Sequence, residues 1–307
     1  MLPFDQHHST TLESPINESE ERPPTLFRKK SWAELAHQTW QLDGKEQIKL
    51  GNGELVSWVA IGDEGSGAHL GAGVINQPTM SKVKAKTVVA VANRCFEQWG
   101  LPKCIKIDNG HPLVDPKNRD MPTLAFLWFI GLGIEMIQNQ PRSPQQNGIV
   151  EGLQGTCASW VNPKGKQSPV ELQEALDECS IFQREYYRIP GKQNKTRKEL
   201  FPELYQNSRR YDPNGFCMQR VEQFLAKKVW TRKVKRSGEI RFRGHYIYLG
   251  TKFKAQTVYL TFDPGENQWM VRDERGTLLK TSRKAIIQEQ QIKELALNNQ
   301  AQKLDTT

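Results

Sequence analysis

Three carboxylates, Asp43, Asp108 and Glu151, sit where secondary-structure elements begin or end. Asp43 closes a candidate strand in TWQLDGKEQIKL and Asp108 closes another in KCIKIDNG; Glu151 falls about a turn into a helix that starts within PRSPQQNGIVEGLQG. On a helical wheel Ile149, Val150, Leu153, Cys157 and Trp160 share one face, and Glu151 lies on the other beside Asn147, Gly155 and Ala158. If that helix packs beside the two strands, the three acids converge. Converging carboxylates repel one another and rise in pKa unless a cation neutralises them. Mg²⁺, a hard ion that takes oxygen ligands and keeps some of its waters, suits that task. Two such ions about 3.5–4 Å apart form the clamp for in-line phosphoryl transfer, one at the attacking water or hydroxyl and one at the leaving 3′ oxygen.

Each acid alone has a plainer reading. Asp-Asn-Gly at 108–110 is an ordinary turn signal, Glu151 is a solvated helix residue and Asp43 a strand-end acid. Asp63 and Glu64 compete for a site role, because they also follow an apolar strand. Order along the chain favours the first three.

The elements that must position them follow from periodicity. After the first strand and the Gly-Asn-Gly turn at 51–53, LVSWVAIGDEGSG and AHLGAGVINQ read as two more strands, with Trp40 and Trp58 packing the sheet. KAKTVVAVANRCFEQWG carries Val88, Val91, Ala92, Cys95, Phe96 and Trp99 at helical steps. TLAFLWFIGLGI fits a buried helix and EMIQNQ a fifth strand. Ser143, Pro144 and Gln146 suit the cap of the Glu151 helix, and Ser168 opens a last one. The order β-β-β-α-β-α-β-α-α is a mixed α/β layer architecture. Short alternating strands after Val221 (EIRFRGHYIYLG, TVYLTFD, QWMVRDERGTLLK) signal a small all-β barrel. The expected divisions are a disordered segment 1–35, an α/β core 36–190, a linker 191–220, the barrel 221–285 and a Gln-rich polar tail 286–307 that reads as a frayed helix.

Composition narrows the function classes. The 307 residues include 43 Lys and Arg against 34 Asp and Glu, a net charge of +9 that suggests a polyanionic partner. The longest apolar run, Leu124 to Ile134, is too short to span a bilayer. The polar N-terminus lacks the apolar core of a secretory signal. Five scattered cysteines (95, 104, 157, 179, 217) form no CxxC pair, which argues against a disulfide framework and a Cys-based zinc site. A cytoplasmic protein with no membrane partner is expected.

WQLD (40–43), KIDNG (106–110) and PRSPQQNGIVEG (141–152) together resemble the catalytic core of the DDE transposase and retroviral integrase family, over roughly residues 38–190. The following barrel is similar to the one after the core in Mu-type transposases. The resemblance implies an RNase H-like mixed five-stranded sheet with flanking helices. It also implies metal-dependent cleavage and strand transfer of DNA by a multimer assembled on element ends and target. It assigns Asp43, Asp108 and Glu151 as catalytic ligands of two Mg²⁺, with Mn²⁺ substituting, and makes Asp63 non-catalytic. The chain departs from the family in carrying Gly44 after the first acid and extra length in HPLVDPKNRDMP. It also shows neither an amino-terminal helix-turn-helix pattern nor a His-His-Cys-Cys module; His7 and His8 read as tail residues. Three explanations stand for the missing module: one product of a split gene, a truncated copy, or a protein that works with a separate helix-turn-helix partner.

DNA contacts are expected at two places. Arg142, Gln145, Gln146 and Asn147 precede Glu151 with donors for DNA. Between Lys227 and Lys254 stand ten basic residues (Lys227, Lys228, Arg232, Lys233, Lys235, Arg236, Arg241, Arg243, Lys252, Lys254) against Glu239 alone. Alternation in EIRFRG puts Ile240 and Phe242 inside and Arg241 and Arg243 outside, a face for phosphates. Lys103 and Lys106 read as surface residues. The rival classes are a non-catalytic DNA-binding remnant and a plain nuclease on RNA–DNA hybrids or junctions.

Overall fold

The computed structural model describes residues 35–76, 83–108, 113–114, 121–139 and 148–297. All but the last residue of the expected disordered segment, the cap at Ser143–Gln146 and most of the insertion after Asp108 lie outside them.

β1 (Thr39–Lys49), β2 (Leu55–Asp63) and β3 (His69–Asn76) are followed by α1 (Ala85–Trp99), β4 (Cys104–Ile107), α2 (Leu124–Gly131) and β5 (Glu135–Gln138), then α3 (Gly148–Val161) and α4 (Pro169–Glu185). The sheet runs β3-β2-β1-β4-β5. β1 pairs antiparallel with β2, and β2 with β3. β1 pairs parallel with β4, and β4 with β5. This mixed sheet with its flanking helices is the RNase H-like fold.

Strand alternation divides the core in two. Trp40, Leu42, Val59 and Ile61 join one buried cluster with α1 and α2 residues such as Val88, Phe96 and Phe129. Ile48, Leu50, Trp58 and Ala60 join a second with Val150, Cys157, Leu172 and Leu176 of α3 and α4. β2 therefore reads as one apolar run, because both its faces are covered. Glycine sets the closest approach: a Cβ on Gly62 would stand 2.5 Å from Leu153 Cδ1, which seats α3 against β2. Ser168 caps α4, its Oγ accepting from Glu171 N at 3.2 Å.

The C-terminal part contains α5 (Arg197–Leu200), α6 (Met218–Ala226), β6 (Trp230–Lys233), β7 (Glu239–Phe242), β8 (His245–Tyr248), β9 (Thr257–Asp263), β10 (Gln268–Arg272), β11 (Leu278–Ser282) and α7 (Glu289–Leu297). Its strands form an antiparallel sheet ordered β11-β10-β9-β6 and a separate β7–β8 hairpin. Both cover an aromatic centre in which Trp269 meets Phe242, Phe262 and Trp230 with ring centroids 4.7–5.3 Å apart. The small all-β part expected after the core is thus built of two antiparallel sheets, with the hairpin outside the four-stranded ladder. Side chains bridge that edge: Lys280 Nζ donates to Tyr248 O at 2.8 Å and Lys284 Nζ to Tyr246 O at 3.5 Å.

Two stretches differ from their expected character. Residues 191–220, read as a linker, are bound to the α/β layers: Tyr211 OH donates to Asn93 Oδ1 at 2.6 Å, Asn207 Nδ2 to Trp99 O at 2.8 Å, and Leu204 is fully buried. Their anchors are polar side chains on carbonyls, which leave no hydrophobic period. The Gln-rich tail, expected as a frayed helix, does contain the helix α7, but α7 packs on α1 and α2 and buries Ile292 completely. No helix among the described residues is long and apolar enough to cross a membrane.

Candidate active site and nucleic-acid surface

β1 and β4 bring two acids to one level. The parallel register pairs Leu42 with Ile107, so Asp43 and Asp108 are the next residues along neighbouring strands, where strand spacing is about 4.8 Å. Asp108 follows the last β4 residue, as expected. Asp43 does not end its strand: it pairs with Ala60 midway along β1, which runs on to Lys49 through an irregularity between Lys45 and Ile48. Glu151 lies in the first turn of α3.

Two glutamines tie α3 to this level. Gln41, fully buried and two residues before Asp43, accepts from Val150 N at 3.1 Å through Oε1 and donates to Glu64 Oε2 at 2.7 Å through Nε2. Gln154, buried three residues after Glu151, donates from Nε2 to Asp43 Oδ2 at 3.1 Å. Neither stood out in the sequence, because a neutral amide does not mark a cluster of carboxylates. The i, i+3 spacing of Gln154 from Glu151 was the available signal.

The acids act on one another. The Asp43 carboxyl is pushed up to about 6, by burial first and then by the negative charge of Asp108, with Glu151 adding to the rise and the Gly44 amide opposing it. Asp108 and Glu151 are exposed. The donor set is carboxylate oxygen alone, which suits a hard divalent cation. Among the described residues no group of three His, Cys, Asp or Glu side chains stands close enough to close around an ion, so the fit is one of donor type and placement. Gly44 leaves room for a side chain, since a Cβ there would meet only Val83 Cγ2 at 3.6 Å and Trp58 O at 4.0 Å.

The two rival acids have structural partners. Asp63 is fully buried and accepts from Ser66 N at 2.8 Å, Ser66 Oγ at 2.6 Å and His37 N at 2.8 Å. Glu64 pairs with Lys106 at 2.5 Å, with side chains 2% and 17% exposed. Lys106, expected at the surface, thus carries a largely buried ion pair beneath the site.

Arg142, Gln145, Gln146 and Asn147 fall outside the described residues. In the basic stretch, Lys227, Lys233, Lys235, Arg236, Arg241, Lys252 and Lys254 are exposed. Lys228 Nζ stands 4.7 Å from the Phe224 ring centre, and the Arg232 guanidinium lies 5.3 Å over Phe242. Arg243 departs from the alternation. With φ +48° it forms a two-residue hairpin turn with Gly244 at φ +81°, the geometry of a type I′ turn. Its guanidinium borders a cavity of about 400 Å³ with Leu124, His245, Ile286, Gln291 and Glu294. Burial lowers it to about 10.

The sheet order and its flanking helices define the structural class as RNase H-like, with Asp43, Asp108 and Glu151 placed at the β1–β4–α3 junction. No family model matches the chain. Among solved structures it is similar to a chain of the simian T-cell lymphotropic virus intasome in complex with PP2A regulatory subunit B56 gamma. That match has 16% identity, 82% of this chain and 81% of that chain covered, and a TM-score of 0.44. The magnesium-bound HTLV-2 integrase catalytic core (trimeric form) matches at 17% identity, covering 54% and 96%, TM-score 0.39. The BIV integrase catalytic core domain matches at 17%, covering 55% and 97%, TM-score 0.39.

Proposed function

We propose that the chain is a DDE-type transposase or integrase that cleaves DNA and joins the freed 3′ end to a target, as a multimer on DNA. The observation that carries this reading is the placement of the acids: the β1–β4 register sets Asp43 beside Asp108, and the Gln154–Asp43 hydrogen bond brings the first turn of α3, with Glu151, to the same level. Asp43, Asp108 and Glu151 would hold two Mg²⁺ or Mn²⁺ ions. When bound, such ions supply positive charge to the attacking and leaving oxygens of an in-line displacement. Gln154 fixes the Asp43 carboxylate, and Gln41 fixes the start of α3, so Glu151 is presented at a set distance. The exposed basic residues of the C-terminal sheets, the position of the small barrel in Mu-type transposases, would hold phosphates.

The test uses a branched DNA that mimics an integrated end, incubated with the purified chain in Mg²⁺ or Mn²⁺. Resealed product is expected from the native chain and none from Asp43→Asn, Asp108→Asn or Glu151→Gln. Tight, salt-sensitive DNA binding without product would support a non-catalytic remnant or a required helix-turn-helix partner, and cleavage without joining a plain nuclease.

A further inference from the structure

The β7–β8 hairpin turns a different chemistry to each side. Register pairs Ile240 with Ile247 on its inner face, where both are buried under the aromatic centre. On the outer face Arg241 stands opposite Tyr246, and Glu239 opposite Tyr248. Tyr246 and Tyr248 are 48% and 56% exposed. Two residues apart on one strand, they present rings on the same side at a spacing of about 6.6 Å.

Cations frame these rings. Lys235 Nζ lies 4.7 Å from the Tyr246 ring centre and 3.8 Å from Glu239 Oε1, the acid on this face. Lys280 and Lys284 reach the hairpin through the carbonyls of Tyr248 and Tyr246, and Arg241 is exposed beside them. The two lysines cover the carbonyl edge of β8, which disfavours an added protein strand there. What remains is a pair of half-exposed aromatic rings inside a positive frame, Tyr246 with Lys235 over one face, the combination that binds single-stranded nucleic acid by stacking and phosphate attraction.

We infer that the outer face of the β7–β8 hairpin is a stacking surface for unpaired bases of single-stranded DNA, with Tyr246 and Tyr248 as platforms and Lys235, Arg241, Lys280 and Lys284 holding the flanking phosphates. The inference rests on the DNA-processing reading above for the choice of nucleic acid. It adds to that reading a preference for frayed or displaced strands over intact duplex.

The experiment is fluorescence anisotropy with a labelled short oligothymidylate and a duplex of the same length, on the full chain in chelator, with native Asp108 and with Asp108→Asn. Tyr246→Ala and Tyr248→Ala should each weaken single-strand binding about tenfold, leave duplex binding nearly unchanged and preserve the salt slope. Tyr→Phe should retain affinity, while Arg241→Gln should flatten the slope. Tyr→Leu keeps apolar bulk without a ring and gives the stacking test if the alanine variants lose their fold. Native-like single-strand binding by the Leu double variant, an equal loss for duplex, or no native affinity for single strands would each overturn the inference. Because the assay needs no metal and includes Asp108→Asn, such a result would leave the acid site untouched. Intact Tyr-dependent binding with failed strand transfer would do the reverse.

Discussion

At the scale of single residues, two buried or half-buried titrating groups give the protein opposite pH responses. The Asp43 carboxyl stands at about 6 in the fold against an ordinary value of 3.8. The folded state therefore holds its proton more tightly, and the contribution to stability present below pH 4 is lost as pH rises through 6. In chelator, Asp43→Asn should raise the melting temperature at pH 7 and change it little at pH 4; Mn²⁺ should stabilise the native chain near pH 7 and not the variant. His69 behaves the other way. Fully buried against Ser180 Oγ at 2.6 Å, it is pushed down to about 3 from 6.5 by burial first and Arg184 second. The unfolded chain gains that proton first, so stability present above pH 6.5 falls as the solution is acidified, by about 3 kcal/mol at pH 4.5. Chemical denaturation across pH 4.5–7 should show this slope, reduced in His69→Gln.

At the scale of elements, α3 is the informative case, because its own glycines are uncrowded while the strand glycine it packs on is not. A Cβ at Gly152 or Gly155 would meet nothing within 4 Å, whereas one at Gly62 on the facing strand collides with Leu153. Gly152→Ala and Gly155→Ala should each stabilise by about 0.5–1 kcal/mol, and Gly62→Ala should destabilise by about 1–3 kcal/mol, read by urea denaturation. The same contrast explains what the sequence discloses. Strands and helices that bury a face were legible from their period: α1 buries Val88, Val91, Ala92, Cys95, Phe96 and Trp99, the residues its spacing marks. The places of Asp43, Asp108 and Glu151 were legible from their elements, apart from Asp43's position within its strand. What stayed hidden is polar and long-range. Lys106 reads as a surface cation until Glu64, 42 residues away, is seen beside it. Gln41 shows no sign of bonding a helix amide 109 residues on. Arg243 follows the strand alternation on paper, and only the turn's positive φ takes it off the outer face.

At the scale of the whole molecule, the acid-bearing layers and the C-terminal sheets share one buried apolar cluster, which runs from Trp40 through Phe129 and Val221 to Trp269 and Ile292. A shared interior couples their stability, so calorimetry should record one transition for residues 35–297, and Ile292→Ala should lower it by about 3 kcal/mol although α7 is far along the chain from every acid. Two separate transitions, with the variant affecting the later one alone, would refute the coupling. The segment 191–220 does the joining, through Asn207 and Tyr211 on α1 and Arg209 on the carbonyls of Pro102 and Gly133. A chimaera that borrows the C-terminal sheets of another protein would therefore have to bring Leu204 through Phe216 with them, or mate foreign side chains to these carbonyls. The natural seam for recombination lies before residue 191, at the end of α4, and not at the last irregular stretch before the β-strands.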